Sequence, residues 1–67
     1  MANPLNIKFD TSIGAAKVAE NYEGAIASGR YVSFPTDLTD AEEREDEVSL
    51  IVMFADSIGV EWMSADY

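Results

Sequence analysis

Apolar and polar residues alternate over Leu5-Asn-Ile-Lys-Phe9, the period of a strand with one buried face, and this pattern predicts a first strand at 5–9. Asp10, Thr11 and Ser12 then offer three consecutive helix N-caps. From Ile13 the apolar residues recur at helical spacing as Ala15, Val18, Ala19, Tyr22, Ala25 and Ile26. With Lys17, Glu20 and Asn21 on the other side and Ser28-Gly29 as a stop, the stripe predicts a helix over 12–28. Its alanine-rich inner side suits close packing on a sheet, while Gly24 weakens the last turn by about 1 kcal/mol relative to alanine. Arg30-Tyr-Val-Ser-Phe34 is β-branched and aromatic and ends at Pro35, which reads as a second strand.

The remaining half admits two readings. Thr39-Asp-Ala-Glu42 matches a capping box, in which threonine and glutamate satisfy each other's free backbone N–H groups. Ala41, Val48, Ile51, Val52, Ala55 and Ile58 continue at helical spacing, and Ile58-Gly59-Val60 has the form of a glycine-terminated helix end. The preferred reading is a helix over 39–58 and a strand over 60–64. In the alternative, the strand-prone run Val48–Phe54 and Val60–Met63 form a β-hairpin about Asp56–Gly59, behind a short acidic helix. Both give an α+β fold: one small domain over residues 1–67, with three or four strands packed against one or two helices.

Composition narrows the class. A chain of 67 residues that is 48% apolar is long enough for one thin core and too short for a deep substrate cavity. There is no cysteine, so disulfides, thiolate nucleophiles and sulfur metal sites are excluded. The N-terminus lacks the basic start and apolar run of a secretion signal. The longest apolar stretch, Leu50–Ala55, is far too short to span a bilayer, and a cytoplasmic location is expected. Trp62, Met63 and Tyr67 could form an aromatic anchor at an interface, but Trp62 is expected to be the largest member of the core, and Tyr67 an exposed terminal residue.

Charge changes the picture most. Residues 1–36 carry three acids and three bases, whereas residues 37–67 carry ten acids and Arg44 alone, so the whole net charge of −9 falls in one half. The densest piece, Asp37-Leu-Thr-Asp-Ala-Glu-Glu-Arg-Glu-Asp-Glu47, holds seven acids and one base. As a helix it would place like charges at Glu42/Asp46 and Glu43/Glu47, each pair costing about 0.2–0.5 kcal/mol, so folding alone does not call for it. Nucleic acid and anionic lipid would both repel such a chain, and the partner it suits is a basic protein surface. The candidate contact residues are Asp37, Asp40, Glu42, Glu43, Glu45, Asp46 and Glu47, with Asp56, Glu61 and Asp66 able to extend the face. The blander alternative is a solvated acidic face that keeps the protein dispersed, or the general acidity of a protein from a high-salt cell.

Little else carries chemistry. A calcium loop needs alternating acids around a glycine, which Asp37-Leu-Thr-Asp40 lacks, and without histidine or cysteine no zinc site is expected. Asp56-Ser57-Ile58 resembles the phosphopantetheine attachment motif of acyl carrier proteins, but only ten residues follow Ser57, too few for the helices that follow it in that family. The acids lie in solvated runs, where a carboxyl is not raised into general-acid range, and Gly14, Gly24 and Gly29 form no phosphate loop. No catalytic residue, metal or cofactor is expected, and a monomer that binds another protein is the functional class.

In size, acidity and α+β pattern, with the Asp37–Glu47 run as its most telling part, the whole chain resembles the small phage-encoded anti-CRISPR proteins that act on type I effector complexes. The resemblance implies an inhibitor whose carboxylates replace DNA phosphates against the lysines and arginines that read the protospacer-adjacent motif. The same mimicry would serve against a restriction or repair enzyme. A regulatory adaptor with an acidic half is the other class the residues allow.

Overall fold

A computed structural model describes residues 4–66. In chain order they form β1 (Leu5–Phe9), α1 (Ser12–Glu20), β2 (Ile26–Ser28), β3 (Tyr31–Phe34), α2 (Ala41–Ser57) and β4 (Trp62–Asp66). The strands make one antiparallel sheet in the order β2-β3-β1-β4. A βαββαβ chain with this strand order is the split βαβ topology of ferredoxin-like domains. Among the described residues, no helix is long and apolar enough to cross a membrane.

The alternation in β1 decides which face is covered. Leu5, Ile7 and Phe9 are fully buried, while Asn6 and Lys8 point to the open side. In β3, Val32 and Phe34 join the buried face, and α1 and α2 close over it with Ala15, Val18, Val48, Ile51 and Ala55. Each large aliphatic or aromatic side chain removed from water there is worth about 1.5–3 kcal/mol.

Helix ends follow local chemistry. Thr11 is the N-cap of α1, its hydroxyl accepting from the Gly14 amide at 3.0 Å. Helix α2 ends in a Schellman turn: the Val60 amide donates to the Ala55 carbonyl at 2.8 Å and the Gly59 amide to Asp56 at 3.0 Å, with Gly59 at φ +80°. The turn tucks Val60 into the core beside Ala55.

Five expectations need correction. Helix α1 stops at Glu20 rather than 28: Gly24 takes φ +81°, and Ile26–Ser28 form an edge strand. Gly29, at φ +60°, makes the first position of the two-residue β2–β3 turn and does not end a helix. Helix α2 begins one turn-position later than the capping box requires, with Asp40 as its N-cap and no side-chain cap hydrogen bond. Trp62 is 45% exposed and lies outside the core. The helix reading of the second half holds over its hairpin alternative, and the last strand lies at 62–66 rather than 60–64. Tyr67 lies outside the described residues.

Candidate partner-binding surface

The acidic surface is built by the start of α2 and the loop before it. Glu42, Glu43, Glu45 and Asp46 are exposed, as are Asp37 and Asp40, and Glu47 is half-buried. At 100° per residue, Glu42 and Asp46 share one line along the helix, Glu43 and Glu47 the next, and Glu45 stands on the opposite flank. Four exposed carboxylates, Glu42, Glu43, Glu45 and Asp46, therefore occupy the outward arc of about 7.5 Å of helix, about one per 2 Å of axis, with Glu47 on the flank toward Tyr22. Duplex DNA presents one charge per about 1.7 Å. Glu42 and Glu43 are in the first turn, where the helix N-terminus favours negative charge by about 0.3–1 kcal/mol, which leaves the others uncompensated by the helix itself.

Arg44, the base within this run, faces the opposite way. It is only 8% exposed, and its guanidinium donates to the Leu38 carbonyl at 2.7 Å and to the Pro4 carbonyl at 3.2 Å. Its stem lies on the core-facing line of α2 with Val48, Ile51 and Ala55, so one side chain clamps the acidic loop, the first residue before β1 and the helix together. Burying it removes a positive charge from the acidic face.

The predicted contact residues do not all converge. Asp56 stands ten residues beyond Asp46, about 15 Å along α2. Glu61 follows the Schellman turn at that far end, where its carbonyl accepts from the Asp10 amide at 2.9 Å. Asp66 pairs in register with Asn6, on the open side of the sheet. Seven carboxylates thus form the surface at the start of α2, and Asp56, Glu61 and Asp66 belong to other parts of the molecule. Among the described residues, no group of three or more acids is gathered closely enough to hold a metal ion.

Sequence reasoning missed two features. The first is a groove beside α2, lined by Val52, Met53, Val60 and Trp62 with Asp56 and Glu61 on its rim. The register slip between Lys8 and Phe9 creates it: Lys8 pairs with Ser64 and Phe9 with Trp62, so Met63 is an extra residue and Trp62 is swung onto the helix side. The second is the open face of the sheet, where the Lys8 ammonium lies 5.6 Å from the Tyr31 ring centroid. A bulge has no sequence signature of its own, whereas the exposed side of β1 and β3 follows directly from their alternation.

The Tyr22 hydroxyl has its pKa raised above 10.0, first because burial disfavours the phenolate and second because the Glu47 carboxylate is nearby. No protein-family model, curated protein or solved structure matches the chain.

Proposed function

We propose that this protein is a non-enzymatic inhibitor that binds a basic, DNA-reading protein surface in place of duplex DNA, with a type I CRISPR-Cas effector complex as the target. The observation that carries this reading is the inward turn of Arg44. Burying the one base of the run leaves carboxylates alone on the outward arc of α2, at a linear density close to that of a phosphate backbone. A solvated face that served only to keep the chain dispersed would gain nothing from separating the signs in this way. The resemblance of size, acidity and fold pattern supports the effector as the target, and the exposed carboxylates of α2 support the mode of contact.

Glu42, Glu43, Glu45, Asp46 and Glu47 would meet lysine and arginine side chains, with Asp37 and Asp40 extending the contact along the loop. Such an interface associates quickly, weakens steeply with salt and competes with DNA. The test is binding to an immobilised effector complex across a sodium chloride series, with and without duplex DNA bearing the protospacer-adjacent motif. DNA should displace the protein. Reversing Glu42, Glu43, Glu45 and Asp46 to lysine, all on exposed positions, should abolish binding; unchanged inhibition by that variant would refute the reading.

A further inference from the structure

Strand β4 is an edge of the sheet, and among the described residues no strand lies beyond it. Edge strands are commonly blunted by charge, proline, a bulge or a covering element, because their free N–H and C=O groups template the addition of another strand. The bulge of β4 lies at its start, at Met63, and Ser64, Ala65 and Asp66 keep regular register with β1. Here the edge is accompanied by an apolar groove of about 410 Å³ on its helix side. Met53 is 68% exposed and Trp62 45% exposed in that groove, while Asp56 and Glu61 stand exposed on its rim.

We propose that β4 and this groove form a second docking site, for an extended segment of a partner protein in which apolar residues alternate with lysine or arginine. A strand added along β4 would point alternate side chains to the two faces of the sheet. One set would enter the groove over Trp62 and Met53. The other would lie on the open side, where Asp66 stands near Lys8, and a basic residue ending the groove-side set would meet Asp56 and Glu61. Charge complementarity selects the occupant: a second copy of this chain, itself at −9, would set the same acids against each other, and an acidic or purely apolar strand would leave them unpaired. The inference rests on the preceding proposal only in taking the partner to be basic, and its test needs no effector complex.

Trp62 is the sole tryptophan, so its fluorescence reports the site directly. The probe is a capped heptapeptide, Lys-Val-Lys-Val-Lys-Val-Lys, compared with its equally charged Lys-Ser counterpart. The valine peptide should shift Trp62 emission to shorter wavelength, bind at least tenfold more tightly than the serine peptide, and slow amide exchange in β4. Met53→Arg and Asp56→Lys, both at exposed positions, should each weaken it at least fivefold while the circular dichroism spectrum is kept. Equal binding of the two peptides, or no new protection in β4, would overturn the proposal. So would sedimentation of the free protein as a dimer with Trp62 already buried, since the occupant would then be a second copy. Loss of peptide binding with DNA competition intact removes this site alone; the reverse result removes the DNA-mimic reading alone.

Discussion

Tyr22 meets Phe54 edge-on, ring centroids 5.6 Å apart and planes at 85°, and the same ring stands against Phe34 at 5.2 Å and 87°. The residue just past α1 is thereby tied to both β3 and the second half of α2, the helix that carries the acidic surface. Edge-to-face pairs contribute about 0.5–1.5 kcal/mol beyond the area they bury. A double-mutant cycle with Tyr22→Leu and Phe54→Leu, followed by urea unfolding, should give a coupling free energy in that range. A coupling near zero would mean that the rings are only neighbours.

The raised pKa of Tyr22 makes stability depend on pH at the alkaline end. The folded state holds the phenol proton more tightly than the unfolded chain, so the contribution is complete below the unfolded pKa of about 10 and is lost as pH rises through the folded value. Urea midpoints from pH 8 to 11 should fall for the parent protein. Tyr22→Phe should remove this component of the fall, and Glu47→Gln should reduce it, because the carboxylate is the smaller of the two causes.

Arg44→Met should destabilise the fold by about 2–3 kcal/mol, since the Leu38 and Pro4 carbonyls each lose a charged donor. Arg44→Lys should recover only part of this, because one ammonium cannot reproduce the planar fork. Urea unfolding measures both. Neither change touches an outward carboxylate, so binding per folded molecule should persist.

Gly14→Ala should destabilise, although alanine is worth about 1 kcal/mol more than glycine inside a helix. A Cβ at Gly14 would lie 2.8 Å from a Val60 methyl and 3.0 Å from the capping hydroxyl of Thr11. Val60 is fixed by the Schellman turn and its side chain is stiff, so a net loss of about 1–2 kcal/mol is expected from thermal unfolding. A gain would show that Val60 yields.

Much of this architecture is legible in the residues. The alternation in β1 predicts its bounds and its buried face without correction, and the periodicity from Val48 to Ala55 correctly outweighs the strand propensity of the same run. Strand β2 is hidden because Ala25 and Ile26 continue the stripe of α1 after the backbone has left the helix at Asn21. Only the positive φ of Gly24 and the two-residue turn at Gly29-Arg30 separate the elements, and glycine alone does not announce which kind of turn it makes. Of the surface, the acidic loop and first turns of α2 are visible as composition, but the inward direction of Arg44 depends on the carbonyls of Leu38 and Pro4, six and forty residues from it along the chain. The position of Trp62 depends on a register slip that no local propensity encodes.

Lys8 stands on the open side of the sheet, while the carboxylates gathered at the start of α2 stand on the layer of helices that covers the other side. The molecule is therefore a permanent electric dipole, and the field of a positively charged wall exerts a torque on it as well as a pull. Such a torque turns α2 forward during diffusion, before any contact is made, and shortens the rotational search that ordinarily limits how fast two proteins find each other.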